Sequence, residues 1–350
     1  MAEVGNLRIG VVSWFKERDG IACAISSTIN EMGHSAVNFA FDSPLPRQLD
    51  AVIAYGPLGS FLPIAKQIAC RSRRDRPLLA WWLTEQFPSP RLPEWLLYPI
   101  ATLRSYAERS AFYEAAPGQW RIRSRLSWIA GKGPRFRYYG DLFWLRRAGL
   151  LSILAVPSPW IAAFLRRRGF DPVVTYFGSH PEWGRPLDLD RDVPVLWLGK
   201  PGTRRRATLL RRIRGELERR NIPVFVVDGI EHPFVHGEER TILLNRTRIA
   251  LNLLRREWDD NSLRFYLAAA NGALIVTEPT LPHCPFEPGV HLVESPVEKM
   301  AETIRYYLSH EQERARIAES ARELVSKELT MNRALSPILE RIRSLKQKTP

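Results

Sequence analysis

Short β-branched apolar runs alternate along this chain with longer stretches whose apolar residues recur every three or four positions. Leu7–Ser13 is the first such run, and Trp14–Gly20 reads as the loop that follows it. Ile21–Met32 reads as a helix closed by Gly33, a residue suited to a left-handed C-cap. Val37–Phe41 and Ala51–Tyr55 are strand-like, Phe61–Arg71 is helical, and Leu78–Leu83 is again a strand. Strands that alternate with helices of this length form βαβ units, and hence a parallel sheet covered on both faces.

The rhythm breaks between Pro93 and Gly149, where segments are helical, aromatic and basic and no buried strand is evident. It resumes with a strand at Leu151–Val156, a helix at Trp160–Arg168 and a strand at Val173–Phe177. Gly178–Asp192 is rich in Pro, Gly and charge and reads as a linker, centred on 181–192. A second series follows: strand Val193–Leu198, then helix Arg204–Arg220 with Leu209, Leu210, Ile213 and Leu217 on one face. After it come Val224–Val227, Glu239–Asn245, Ile249–Leu254, Ser262–Ala270 and Ala273–Thr277, alternately strand and helix. A short strand at His291–Val293 precedes helices at Val297–Ser309, His310–Lys327 and Asn332–Lys346. The pattern predicts an α/β protein of two successive doubly wound domains, 1–180 with an insert at 93–149, and 193–330, ending in a basic helix at 331–350. A length of 350 residues suits two domains.

Charge changes this picture in one respect. The formal net charge is +14, and residues 101–150 hold ten Lys/Arg against three Asp/Glu, which is half of it. The same fifty residues carry ten of the 36 aromatics, and Arg204–Arg220 adds eight Arg against two Glu. Charge so concentrated implies anionic partners: nucleotide phosphates, an acidic membrane surface or nucleic acid. Trp120, Trp128, Phe143 and Trp144, with Arg121, Arg123, Arg125, Arg146 and Arg147, could settle at an anionic lipid interface. Nucleic acid is the weaker reading, because no RRM, KH or helix-turn-helix pattern is present. No uncharged apolar run reaches the ~18 residues of a membrane span, and the start of the chain lacks a signal-peptide pattern. Cys23, Cys70 and Cys284 are far apart and form no CxxC pair, so a cytoplasmic protein is expected, peripheral to the membrane if the lipid reading holds.

In open parallel sheets ligands bind beyond the carboxyl ends of the strands, which directs attention to the strand-to-helix loops. Gly199-Lys200-Pro201-Gly202-Thr203 follows a strand, and its glycines, lysine and capping threonine suit a phosphate, although the spacing is not that of a Walker A loop. In Asp259-Asp260-Asn261-Ser262-Leu263-Arg264, Asn261 or Ser262 can cap the next helix. Arg264 in its first turn opposes the helix dipole unless an anion compensates, so a diphosphate is expected there. Glu287, in Pro285-Phe286-Glu287-Pro288-Gly289, and Glu278 could accept hydrogen bonds from sugar hydroxyls. In the first domain the candidates are Gly20 at a helix start and Glu85 just past a strand, a potential general base. Asp188 and Asp190, or His232 and His236, make poor metal sites for want of ligands and of a helix presenting both histidines. No cofactor is expected.

The segments LLNRTRIALNLL, NSLRFYLAAANGALIVTEP, PFEPGVHLVE and YYLSHEQERARIAESARELV occur in an order that resembles the CgeB-like group of family 1-type glycosyltransferases, over about Glu239 to Leu335. That resemblance implies a GT-B fold, with two Rossmann-like domains about a cleft, and metal-independent transfer, here of a hexosyl group. It also implies a nucleotide-diphosphate sugar donor held by the C-terminal domain, with Arg264 as the arginine of the donor helix. The group's R-x-F-E-A run reads Arg264-Phe265-Tyr266-Leu267-Ala268 here, so Leu267 stands where a glutamate would grip the donor ribose. A catalytically degenerate scaffold is the alternative that this departure supports, and sugar-nucleotide epimerases share the architecture.

Overall fold

A computed structural model describes residues 5–15, 19–56, 60–85, 87–89, 91–116, 119–123, 133–256, 258, 263–282 and 284–348. The chain divides into two compact units, residues 1–175 with 334–350, and residues 176–333.

The first unit opens with β1 (Arg8–Ser13), α1 (Gly20–Glu31), β2 (Ser35–Ala40), β3 (Ala51–Tyr55), α2 (Leu62–Ala69) and β4 (Leu78–Trp82). The insert then supplies α3 (Glu94–Ala111), the hairpin β5 (Phe112–Ala116) and β6 (Gln119–Ile122), and α4 (Pro134–Arg147). β7 (Leu151–Val156), α5 (Pro159–Arg166) and β8 (Val173–Val174) complete a six-stranded parallel sheet of order β2-β1-β3-β4-β7-β8. Every residue of β3 is buried, the continuous apolar pattern of a strand covered on both faces.

The basic insert folds largely onto itself. Gly140 of α4 lies so close to α3 that a methyl group there would come 2.1 Å from the Ala101 carbonyl oxygen. Between the two helices Glu108 pairs with Arg104 at 2.9 Å and with Arg137 at 3.0 Å, while Asp141 accepts a hydrogen bond from Ser105. Burial pushes the Asp141 carboxyl up to about 6 even though Arg137 and Arg109 stand near it. Phe143 packs among Tyr98, Tyr139 and Phe170, Trp144 lies under the Arg109 guanidinium, and Lys66 covers Trp120. Arg146 donates to the carbonyls of Arg168 and Gly169, and Arg147 to the Tyr98 hydroxyl. The sequence suggested one lipid-facing surface of these residues. Of the described ones, Arg121 and Arg123 are exposed on the hairpin, where Arg123 lies 5.7 Å from the Tyr113 ring. Arg125 and Trp128 lie outside the described residues.

The second unit contains β9 (Val193–Leu198), α6 (Arg204–Glu218), β10 (Val224–Val227), α7 (Gly237–Asn245), β11 (Thr247–Asn252), α8 (Leu263–Ala270), β12 (Leu274–Thr277), β13 (Val293–Glu294), α9 (Met300–Ser309) and α10 (Glu311–Glu323). Its five strands are parallel in the order β10-β9-β11-β12-β13. Leu210, Ile213 and Leu217 of α6 join Val195, Trp197, Val226 and Ile249 in its core. The stretch expected as a linker belongs to this unit and is fastened to it. Asn245 donates to the Arg185 carbonyl and accepts from the Leu187 N–H, and Asn271 donates to the Trp183 carbonyl.

α11 (Met331–Gln347) carries the chain out of the second unit, and from Ala334 onward it belongs to the first. The Thr175 hydroxyl donates to the Ala334 carbonyl, and Lys346 and Arg341 pair with Asp50 and Asp171, both at 2.9 Å. Two basic residues of this helix, Arg341 and Lys346, therefore meet carboxylates of the first unit, while Arg343 meets His34. Among the described residues no helix is long and apolar enough to cross a membrane.

Candidate functional site

The two sheets share one relative strand order, second-first-third-fourth, with the reversal between the first and third strands of each unit. Connections leave such a reversal in opposite directions and open a crevice beyond the carboxyl ends of the two strands. In the second unit that point lies between β9 and β11.

There Arg264, in the first turn of α8, turns back across the strand ends. Its Nε donates to the Leu198 carbonyl at 2.5 Å, its Nη1 approaches Asn252 Oδ1 at 3.4 Å, and its Nη2 approaches the Lys200 carbonyl at 3.4 Å. The Asn252 amide nitrogen donates to Thr277 Oγ1 at 3.1 Å, which fixes its oxygen toward the guanidinium. Trp197 is fully buried and lies 4.8 Å from the Arg264 guanidinium, a cation–π distance. Gly199 follows β9 with φ +99°, and a methyl group on it would lie 3.0 Å from Arg264 Nη2. Only glycine takes that backbone without strain, so the loop and the arginine are built to approach each other.

Lys200 is exposed beside the Phe234 ring, and Gly202 again has positive φ, +70°. Thr203 caps α6 by accepting from the Arg206 N–H at 3.2 Å. The next feature escaped the sequence. Arg205 grips Glu278 with both ends of its fork, at 3.0 and 2.5 Å, and donates to the Leu254 carbonyl at 2.8 Å. Glu278, 4% exposed, also accepts from the Leu254 N–H at 2.7 Å. These contacts lock the start of α6 to the ends of β11 and β12. The carboxylate predicted to meet a sugar is therefore occupied by an arginine that the sequence showed only as part of a charged helix face.

Glu287 is exposed in its turn, where Phe286, fully buried, packs edge-on against Phe265 and Tyr266 of α8. Leu267, 5% exposed, is a core residue of α8. Asn261 and Ser262 lie outside the described residues, as do Asp259 and Asp260. Glu85 is half-buried in the first unit, two residues beyond Leu83, whose N–H donates to the Ala155 carbonyl. The structure thus brings Gly199, Lys200, Thr203, Arg264 and Glu278 to one end of one sheet and leaves Glu85 in the other unit. His232 binds the Val226 carbonyl through Nδ1, and Asp188 and Asp190 are exposed; among the described residues no group of three metal-ligating side chains forms.

The equivalent point of the first unit, between β1 and β3, holds a buried carboxylate among the described residues. Asp19, 2% exposed, caps α1 through the Ala22 N–H at 3.1 Å and accepts from the Trp14 N–H at 2.7 Å. It also accepts from the Tyr55 hydroxyl. Trp14 Nε1 donates to the Tyr55 carbonyl at 2.5 Å. Burial first, and then Asp19, push the Tyr55 hydroxyl well above its ordinary range.

Comparison with known proteins agrees with this division. Residues 204–340 match a family model described as glycosyl transferase-like, and the match contains Arg264, Asn252, Thr277, Arg205 and Glu278 but begins after Trp197, Leu198 and the Gly199–Thr203 loop. No curated protein is similar to the chain in sequence. Among solved structures, sucrose-phosphate synthase from Thermosynechococcus elongatus is similar over 98% of this chain and 100% of its own, with TM-score 0.59 and 10% identity. HepE from Anabaena, in a complex with UDP and glucose, is similar over 97% and 100%, with TM-score 0.57 and 11% identity. TarM is similar over 83% of this chain, with TM-score 0.54 and 10% identity, and this chain spans only 54% of its length. At such identity the likeness establishes a fold, the paired Rossmann-like domains of GT-B glycosyltransferases.

Proposed function

We propose that this chain is a GT-B glycosyltransferase that binds a nucleotide-diphosphate sugar at the carboxyl ends of β9 and β11. The observation that carries the reading is the guanidinium of Arg264, folded over the strand ends against a glycine loop at the reversal of strand order. A diphosphate seated there meets the loop amides of Gly199–Thr203, Lys200 and the N-terminal end of α8. When an acceptor hydroxyl attacks the anomeric carbon, the bond to the diphosphate breaks and charge grows on the leaving oxygen. Fixed cations placed at that oxygen lower the barrier, and no metal is required in this scheme. Glu278 acts by holding Arg205 and the loop ends, and Glu287 remains the carboxylate open to a hydroxyl-bearing ligand. With Leu267 in the core, ribose contacts fall to other groups. HepE in complex with UDP-glucose supports a uridine nucleotide as the first donor to try.

A thermal-shift panel of nucleotides and sugar nucleotides tests this, because a ligand at 100 times its Kd adds about 2.7 kcal/mol to apparent stability. UDP or UDP-glucose is expected to raise Tm, and Arg264→Ala to abolish the rise while the protein stays folded. Glu85→Gln, if Glu85 is the general base, keeps the rise and lowers turnover about a hundredfold or more. A panel with no responding nucleotide refutes the donor site.

Acceptor access at an anionic membrane belongs to the same proposal, and α3 supports it better than the packed aromatics of the insert. Its Trp95, Leu103 and Tyr106 are 75%, 69% and 62% exposed. Co-sedimentation with vesicles containing phosphatidylglycerol is expected for the wild type and reduced in Trp95→Ala/Leu103→Ala; equal recovery of the two proteins contradicts it.

A further inference from the structure

The amino-terminal edge of the second sheet, remote along the strands from Arg264, holds a second concentration of arginines. A cavity of about 310 Å³ is lined there by Arg191, Arg248, Arg314 and Arg322, with Glu311 and Glu319 also on its wall. Each arginine comes from a different place in the sequence: the segment before β9, the start of β11, and two turns of α10.

Their bonds divide them into two kinds. Arg191 is fastened by carbonyls, with Nη1 to Thr247 at 2.6 Å and Nη2 to Asn271 at 3.0 Å. Arg314, 5% exposed, donates to the carbonyls of Tyr307 at 2.9 Å and Leu308 at 3.3 Å and touches Glu311 at 3.2 Å. Arg248 is held only through Nε, which donates to the Arg191 carbonyl at 2.6 Å. Among the described residues neither of its terminal nitrogens has an acceptor. Arg322 donates to Glu319 through both Nε, at 2.7 Å, and Nη2, so a phosphate there displaces or shares that carboxylate, whose side chain is 52% exposed. The two carboxylates sit toward solvent, since the Glu311 side chain is 82% exposed.

The guanidiniums also feel one another. Burial lowers the proton affinity of Arg191, and the charge of Arg314 lowers it further. For Arg314 burial leads again, Glu311 offsets part of it, and Arg248 adds to the lowering. Like charges gathered in a half-enclosed cavity repel more strongly than they would in water. A multivalent anion removes that repulsion, and forked guanidiniums match phosphate oxygens in geometry.

We infer that this cavity is a binding site for a small multivalent phosphate, separate from the donor site, with Arg248 and Arg322 making the direct contacts on a frame set by Arg191 and Arg314. The inference stands independently of the glycosyltransferase reading. Its four cations outnumber its two carboxylates, in a cavity of about 310 Å³.

Pyrophosphate is the probe, titrated by calorimetry and thermal shift into the full chain carrying Arg264→Ala, so that binding at the donor end is removed. Sodium chloride at matched ionic strength controls for screening. Saturable binding is expected in that background, with the apparent Kd raised tenfold or more by adding Arg248→Gln. Arg322→Gln, at the solvent side, is expected to raise it three- to tenfold, and it provides the test should Arg248→Gln fail to fold. Binding that is absent from the Arg264→Ala background, or that survives both substitutions unchanged, overturns the inference.

Discussion

The same strand order produces two reversal points in this molecule, and their contents are opposite. Between β1 and β3 stands a buried carboxylate, Asp19, on which Trp14, Ala22 and Tyr55 converge. Between β9 and β11 the corresponding place holds a cation, Arg264, packed closely against a glycine loop. Topology therefore specifies where a ligand could enter, and side chains decide whether it does. The buried carboxylate consolidates its own unit, whereas the guanidinium above a bare backbone loop is the group that the proposed donor site rests on. The glycosyl transferase-like match, residues 204–340, falls on the unit with the cation up to residue 333 and ends in the helix that rejoins the first unit.

Three substitutions separate these roles, and Asp19→Ala should have the largest effect. It removes a helix cap and strands buried donors, at about 3 kcal/mol in all, and leaves any nucleotide-induced Tm rise intact. A loss of that rise would show that the first crevice also serves the donor. Gly199→Ala comes next. Strain at positive φ costs about 1–3 kcal/mol, and the added methyl crowds Arg264, so here the nucleotide response should weaken along with Tm. An unweakened response would place the donor away from this loop.

Tyr55→Phe is the mildest, about 1 kcal/mol near neutral pH through one lost hydrogen bond. Its pH dependence has a definite sign. Burial raises the folded-state pKa of Tyr55 above its unfolded value of 10.0. The unfolded chain therefore loses the proton first as pH climbs past 10, and the wild type loses stability there through this group. The wild-type advantage over Tyr55→Phe should shrink above pH 10 in denaturant titrations; a constant difference would mean that the hydroxyl is not held by the fold.

The strands and helices were legible in the sequence because apolar periodicity is a local property, and β3, β7, β9 and β10 fall where the runs of Val, Ile and Leu placed them. The hairpin β5–β6 was not, because its residues are mostly exposed and carry no alternation. Arg264 could be singled out from its position against a helix dipole. Arg205 could not, since only the fold brings Glu278, 73 residues away, to its fork. The basic insert misled for a related reason. Counting charges does not reveal that Glu108 and Asp141 meet three arginines inside the α3–α4 pair.

The allegiance of α11 has a topological consequence. Because the last stretch of chain rejoins the first unit, the second unit is formally an insertion into the first, bounded by the peptide bonds at 175/176 and 333/334. One pair of cuts excises residues 176–333 as an uninterrupted polypeptide, whereas the first unit has to be rebuilt by splicing two pieces. Truncating the chain after residue 333 would remove Leu335, Ile338, Leu339 and Ile342, all buried, and would injure the unit at the opposite end of the sequence from the deletion.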